Sequence, residues 1–231
     1  MDPKFTLENR IAAELKSYDG HMGFYADDLK GNVVSIHADE DFETASTIKT
    51  YILVCLFEQI ERGKASLEDV LTYRKQHQVS GSGLVHSLDF GALLRVKDAA
   101  TLMIIVSDNA ATNMIIEYLG IDTINACIQR LGCSSTRLHR FLQFDSPGLG
   151  RLGTSTPRDY ASIFTRLAKH QLISPGADQA MIEIFKKQHY NSMITGEFPV
   201  YYMDGEDNGE ENSIQVASKS GSMDECRNDG G

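Results

Sequence analysis

The chain of 231 residues contains no tryptophan, and aromatic residues make up only 8% of it. Basic residues are also few: 22 Lys and Arg against 32 Asp and Glu give a formal net charge of −10. An acidic surface weighs against nucleic acid and anionic membranes as partners, although a local lysine can still attract a small anionic substrate. No apolar run reaches the roughly 20 residues that a membrane-spanning helix needs, so we expect no membrane partner.

Two further absences concern targeting and metal binding. Residues 1–20 contain neither the apolar stretch nor the small-residue cleavage site of a signal peptide, so we expect a cytoplasmic protein. A secreted protein given without its leader would show the same N-terminus. The spacing of the cysteines fits no zinc pattern, and we expect reduced, partly buried thiols. They are Cys55, Cys127, Cys133 and Cys226.

Hydrophobic residues at 42% and charged residues at 23% are sufficient for a folded domain with a sizeable core. Apolar spacing and capping residues predict seven helices. These cover residues 5–18, 44–62, 98–106, 110–119, 122–132, 156 to at least 167, and 174–188. Alternating and apolar runs predict four strands. These cover residues 22–29 and 33–37, joined as a hairpin, and residues 198–203 and 214–219.

Strands near both ends and helices between them favour an α/β fold, with an antiparallel sheet flanked by helices and an inserted all-helical lobe. We assign residues 1–45 and 191–231 to the α/β lobe and residues 46–190 to the helical lobe. Both lobes together are expected to form one domain, since the length suits a single compact unit.

Three short motifs carry the chemistry, and the first is Ser46-Thr47-Ile48-Lys49. A spacing of three on a helix puts Ser46 and Lys49 on one face, where the lysine can reach the serine hydroxyl. A lysine whose pKa is depressed by its neighbours can take the serine proton. The motif alone is weak, because about one S-x-x-K is expected by chance in a chain of this length.

The second motif is Ser107-Asp108-Asn109, at the junction of two predicted helices. A junction projects side chains into a cleft, where a hydroxyl can relay a proton and an amide can hold a carbonyl. The alternative is a plain helix cap, since all three residue types cap well.

The third motif is Lys219-Ser220-Gly221, at the end of the last predicted strand. A lysine and a hydroxyl there can bind a substrate carboxylate, and a glycine lets a substrate approach the backbone. The alternative is an ordinary strand end.

The three motifs in this order resemble the signature of class A β-lactamases and penicillin-binding proteins, S-x-x-K, S-D-N and K-S/T-G. The segments VSGSG, LMIIVSDNAATNMIIEYLG and TSTPRDYA are similar to that family as well, so the resemblance extends from about residue 7 to 221. It implies a three-layer β-lactamase or transpeptidase-like fold and an acyl-enzyme mechanism without metal or organic cofactor. The expected substrate is a small molecule, a β-lactam or a related ester or peptide with a carboxylate.

The resemblance also implies a role for each motif residue. Ser46 would be the nucleophile, Lys49 the acylation base or part of its network, and Ser107 the relay to the leaving nitrogen. The substrate would be held by Asn109, Lys219, Ser220 and Gly221, while the backbone N–H groups of Ser46 and Ser222 would form the oxyanion hole.

One departure from the family concerns deacylation. Counting from Thr136, Leu142 stands where class A β-lactamases have the glutamate that activates water, and Ser146 stands at the place of its asparagine partner. Leucine cannot act as a base. Either Asp145 or His139 replaces the glutamate, or the protein is not an efficient β-lactamase.

A second departure lies at residues 222–231, which are too few for the two strands and the helix that follow the third motif in the family. Those C-terminal strands are therefore expected to be missing, which would leave the strand at 214–219 without its neighbour.

These departures leave alternatives open beside a serine β-lactamase. The same site suits an esterase, a D-Ala-D-Ala-type peptidase, or a binding module that recognises β-lactams without turnover. Leu142 favours the binding module, whereas the intact polar residues of the three motifs favour an enzyme.

Overall fold

A computed structural model of the protein describes residues 6–144, 148–199 and 214–231. In this part of the chain seven α-helices are formed, as the sequence predicts, with bounds within a few residues of the predicted ones. They are α1 Leu7–Glu14, α2 Ile48–Glu61, α3 Val96–Ile105, α4 Asn109–Leu119, α5 Ile121–Arg130, α6 Pro157–Ala168 and α7 Pro175–Phe185.

Nine short strands form four small sheets in the described residues, and every pairing is antiparallel. The pairs are β1 with β2, β4 with β5, and β8 with β9, while β3, β7 and β6 form a three-stranded sheet in that order. The strands are β1 Phe24–Asp27, β2 Val33–Ile36, β3 Phe42–Glu43, β4 Val70–Thr72, β5 Leu93–Arg95, β6 Arg137–Leu138, β7 Gly153–Ser155, β8 Gly221–Met223 and β9 Cys226–Asn228. This mixture of helices and antiparallel sheets confirms the predicted α/β class.

The hydrophobic core is centred on α2. Every residue from 48 to 57 is buried, so this helix is surrounded by protein on all sides. Its neighbours are α3, α4, α5 and α7. A helix with apolar side chains all round is stable only in such a position. The α2 helix therefore gives a rigid support to the serine turn that precedes it.

Local capping explains where the later helices begin. Thr156 accepts a hydrogen bond from the backbone N–H of Asp159, and proline follows it at the first helical position of α6. Two predicted helix starts are wrong. The helix predicted to start at Asp98 begins at Val96, and Asp122 lies inside the first turn of α5. Both carboxylates instead lie in the first helical turn, where the helix dipole stabilises a negative charge.

The C-terminal strands differ from the prediction. Residues 214–219 are not a strand; the ladder begins at Gly221 and pairs with β9, in an antiparallel register that joins Gly221 to Asn228. One strand expected to be missing is therefore present within the last ten residues. The predicted strand at 198–203 is also not observed at Phe198, which lies in a turn, and residues 200–203 are outside the described part.

In the described residues, no helix has the length and apolar character required to cross a bilayer. The described residues also contain no group of three or more His, Cys, Asp or Glu side chains that could hold a metal ion. The four cysteines are free thiols, and three of them are buried.

Candidate active site

Ser46 lies in a single turn of 3-10 helix, Ala45–Thr47, which leads directly into α2. This turn is tightly held. Ala45 has a left-handed backbone with φ of +45°, and its N–H donates to Glu43 Oε1 at 3.1 Å. The Thr47 hydroxyl donates to Thr44 O at 2.7 Å. Ser46 lies at the N-terminal end of a long helix. It is partly exposed, so a ligand can approach it.

Lys49 is fully buried one turn after Ser46. Its ammonium donates to Ser107 O at 2.7 Å, to Ser107 Oγ at 3.0 Å and to Asn109 Oδ1 at 2.8 Å. Ser46 is not among these partners. The first and second motifs are thus brought together through the lysine, with the Ser107 hydroxyl at hydrogen-bond distance from its ammonium.

Burial of the Lys49 ammonium lowers its pKa well below the usual range, and the nearby charge of Lys219 lowers it further. The carboxylate of Asp108 acts in the opposite direction but does not offset burial. A lysine in this environment loses its proton at an unusually low pH, which is the property that a general base needs.

Asp108 has a structural role, so the capping interpretation of the second motif holds for this residue. One carboxylate oxygen accepts the Ala111 N–H at 2.8 Å and caps α4. The other accepts the N–H groups of Leu84 and Val85 at 2.6 and 2.8 Å. The backbone passes so close that an added Cβ on Gly83 would lie 2.3 Å from Asp108 Cγ. The loop at 80–85 is thereby fixed on the start of α4.

Asn109 connects that loop to the lysine. Its Oδ1 accepts from Lys49, and its Nδ2 donates to Ser80 O at 2.9 Å. The second proton of this amide can therefore bind a substrate carbonyl. Ser107, two residues before it, has a left-handed backbone with φ of +52°, and the side chains of both residues contact Lys49.

Leu142 is held by the same helix. Its N–H donates to Asn113 Oδ1 and its C=O accepts from Asn113 Nδ2, both at 2.9 Å. Asn113 follows Asn109 by four residues on α4, so the two asparagines share one helix face. The Leu142 side chain is 2% exposed. The residue that stands at the expected base position is therefore a packed apolar side chain.

His139 and Asp145 are the two residues predicted to replace the glutamate, and the structure describes only His139. His139 is exposed, and its Nε2 lies 3.2 Å from Thr154 Oγ1 on β7. Asp145 and Ser146 are outside the described residues, so a role for Asp145 stays a prediction. Arg140 joins both arms of the intervening loop, since its guanidinium donates to Gln143 O at 2.8 Å and to Gly150 O at 3.1 Å.

The third motif lies against the turn that contains Ser46. An added Cβ on Gly221 would be 2.7 Å from Ser46 N and 2.8 Å from Thr47 N, so only glycine allows this approach. Asn228, opposite Gly221 on β9, donates to Glu43 O at 2.8 Å and Thr44 O at 3.1 Å and fastens the hairpin to the same turn.

Lys219 precedes β8 and is fully buried. Burial lowers its pKa to about 7, although the carboxylate of Asp229 acts in the opposite direction. Asp229 in turn accepts the N–H groups of Ile194 and Gly230 at 3.0 and 2.9 Å. Ser220 is buried beside Lys219, whereas Ser222 on the strand is exposed. The third motif therefore supplies a buried cation and an exposed strand beside Ser46.

Arg227 is a further candidate for substrate binding that the sequence analysis did not name. It lies directly opposite Ser222 in the β8–β9 ladder, and both residues are exposed. Paired residues of two antiparallel strands share a face, so the guanidinium projects on the side of Ser222. A guanidinium binds a carboxylate with two parallel hydrogen bonds. The pairing of β8 with β9 is what identifies this residue. The sequence analysis did not name it because it placed the last strand at residues 214–219.

Comparison with known proteins agrees with this geometry. The family model described as Beta-lactamase enzyme family matches residues 6–231. Beta-lactamase FAR-1 of Nocardia farcinica (strain IFM 10152) is 32% identical over 163 residues, which are 68% of this chain and 51% of that protein. The chain spans about half the length of the curated relatives that it matches.

Solved structures extend the similarity to the whole fold. The beta-lactamase of Sphaerobacter thermophilus DSM 20745 superimposes with a TM-score of 0.85 at 26% identity and covers 96% of this chain and 81% of its own. A leucine-to-glutamate variant of PBP-A, in acyl-enzyme complex with penicillin G, has a TM-score of 0.76 at 25% identity over 93% of this chain and 76% of its own. From its sequence match and its fold, the chain belongs to the beta-lactamase enzyme family.

Proposed function

We propose that the protein forms an acyl-enzyme on Ser46 from a β-lactam, or from a related amide or ester that bears a carboxylate. The observation that carries this proposal is the convergence of three chain segments on one turn. Lys49 joins the second motif by three hydrogen bonds, and Gly221 packs directly on the backbone of Ser46. Chance motifs would not be expected to meet in this way.

Acylation uses these residues in sequence. Ser46 Oγ attacks the carbonyl carbon and its proton passes to neutral Lys49, whose lowered pKa favours that state. The carbonyl oxygen becomes an oxyanion, held by the N–H groups of Ser46 and Ser222. The C–N bond then breaks, and the leaving nitrogen takes the proton of Ser107 Oγ. Lys49, 3.0 Å away, returns its proton to that hydroxyl.

Substrate binding falls to the polar groups around this centre. Asn109 offers its free amide proton to a carbonyl of the substrate side chain. Lys219, Ser220 and Arg227 hold the carboxylate, so that the anionic end of the substrate lies along β8. A small anionic molecule is compatible with the acidic protein, because these cations are local.

Deacylation is the step that the site supports poorly. Leu142 has no group that can activate water, and its side chain is packed away from solvent. A general base in this position is typically worth about 10²–10⁴ in rate. We therefore infer a long-lived acyl-enzyme, and the penicillin-binding alternative is favoured over an efficient β-lactamase.

The test is intact-protein mass spectrometry during incubation with benzylpenicillin. We expect a mass gain of one drug molecule that persists, located on the tryptic peptide 31–49, and no gain for Ser46→Ala. A gain that appears and decays would contradict slow deacylation and make Asp145 the next residue to change. An unchanged adduct in Ser46→Ala would refute the assignment of the nucleophile.

An esterase is distinguished by a second probe. A p-nitrophenyl ester is incubated with the wild type and with Ser46→Ala, and nitrophenol release is followed. Ester turnover at Ser46 without any penicillin adduct would replace the penicillin-binding proposal by esterase activity on the same serine.

A further inference from the structure

Tyr160 contributes a hydroxyl at the junction between the nucleophile helix and the third motif. It lies on α6 and is buried. Its Oη donates to the carbonyl oxygen of Lys219 at 2.6 Å and lies 3.2 Å from Thr50 Oγ1. Thr50 directly follows Lys49 on α2. One hydroxyl thus joins the backbone of one lysine to the helix that carries the other.

The direction of these two hydrogen bonds is fixed. The Tyr160 proton goes to the Lys219 carbonyl, which can only accept, so the Thr50 hydroxyl donates to Tyr160 Oη. Burial raises the pKa of Tyr160 above its ordinary value, so the phenol stays protonated and keeps its role as donor.

The backbone of Lys219 depends on this contact because the residue lies outside the β8–β9 ladder. Its N–H donates to Gly230 O at 3.0 Å, and Tyr160 provides a partner for its C=O. Gly230 is itself packed on the Tyr160 ring, where an added Cβ would lie 2.5 Å from Cε1. The one side chain therefore supports both hydrogen bonds of the Lys219 backbone, whereas the Lys219 ammonium donates to Ser220 O at 2.5 Å.

The strand that follows is held by other contacts. Gly221 packs on Ser46 N, and Asn228 bonds to the carbonyls of residues 43 and 44. The N–H group of Ser222, which belongs to this ladder, is therefore fixed without Tyr160. Removing the Tyr160 hydroxyl should displace Lys219 and leave the oxyanion donors in place.

We propose that Tyr160 is a positioning residue that sets the location of Lys219 and so selects acyl donors with a carboxylate. This inference rests on the proposed acylation of Ser46. It goes beyond it by assigning substrate selection to a side chain outside the three motifs, through the carbonyl contact at 2.6 Å.

The test compares two acyl donors in Tyr160→Phe, which keeps the ring and its packing on Gly230. The second-order rate of acylation is measured for benzylpenicillin, which has a carboxylate, and for p-nitrophenyl acetate, which has none. We expect the penicillin rate to fall about tenfold, because a buried carbonyl loses its partner. The ester rate is expected to change less than about twofold, since Ser222 is held independently.

Tyr51→Phe is the matched control. Tyr51 is also fully buried and its Oη lies 2.8 Å from Ser155 Oγ, so this variant loses a buried hydroxyl that does not touch Lys219. We expect it to affect both donors alike. Thermal melting of both variants verifies that they fold.

The outcomes separate this inference from the proposed function. Equal losses for both donors in Tyr160→Phe, or no loss, would overturn the positioning role. If the wild type reacts with neither donor, the proposed function fails. The contact of Tyr160 with Lys219 is then tested by amide hydrogen exchange. Faster exchange at residues 217–220 in Tyr160→Phe, but not in Tyr51→Phe, would still support its hold on Lys219, whereas equal exchange would refute it.

Discussion

Replacing Leu142 by glutamate tests the central inference about deacylation. Residue 142 is fixed by Asn113, one helical turn beyond the Asn109 that binds Lys49, so we expect a glutamate side chain from this backbone to reach the reaction centre. A carboxylate there would activate water, which is worth about 10²–10⁴ in rate or roughly 3–5 kcal/mol of barrier. We expect the lifetime of the penicillin adduct to shorten by at least about a hundredfold.

The same carboxylate changes the charge state of Lys49. The described hydrogen bonds of Lys49 go to two carbonyl-type oxygens and one hydroxyl, so burial dominates its lowered pKa. An adjacent carboxylate raises a lysine pKa. Since the base must be neutral, acylation by Leu142→Glu should slow at neutral pH and recover at higher pH. The variant should also be less stable, by roughly 2–4 kcal/mol, because a buried leucine gives way to an ionisable group.

The assay is a mass-spectrometric time course of adduct formation and decay, repeated at several pH values. Leu142→Gln is the control, because it has the same shape as the glutamate but cannot act as a base. An adduct that decays no faster in Leu142→Glu than in Leu142→Gln, in folded protein that still acylates, would refute the reasoning that the leucine is what halts turnover.

Three further predictions concern the contacts around Ser46. Gly221→Ala brings a methyl group within 2.7 Å of Ser46 N, so we expect acylation to fall at least about tenfold with a loss of about 1–3 kcal/mol in unfolding free energy. Asp108→Asn weakens three hydrogen bonds to backbone N–H groups, and urea unfolding should show a loss of roughly 3 kcal/mol. Lys219 is charged below its pKa of about 7, so acylation by benzylpenicillin should decline as the pH rises through that value, while an uncharged ester should not follow this decline.

The helices were predictable because their signals are local. The Thr156 and Ser174 caps begin α6 and α7 at the expected positions, each with proline at the first helical position. The three motifs could also be identified from sequence, since each lies at a helix end or beside a short strand. Asp108 confirms the capping interpretation for one residue of the second motif, whereas the functional roles of Ser107 and Asn109 stay predictions.

The strand pairing and contacts of the C-terminal segment were not predictable, because its partners are distant in sequence. The run at 214–219 alternates like a strand, but its Lys219 is held by Tyr160 and Gly230 rather than by a ladder. The hairpin that follows pairs Ser222 with Arg227, a register that only the turn at 224–225 determines. The hydrophobic periodicity of the sequence carries no information about such contacts.

The attachment of the β8–β9 hairpin to the serine turn has a consequence for folding. Asn228 bonds to Glu43 across a sequence separation of 185 residues, whereas the helical core around α2 is built largely from nearer neighbours. Contacts between residues that are distant in sequence form late in folding. They are also lost in partial unfolding events that leave local structure intact. In rising denaturant the catalytic centre should therefore come apart first, so that acylation disappears while the helical circular dichroism signal of the core still persists.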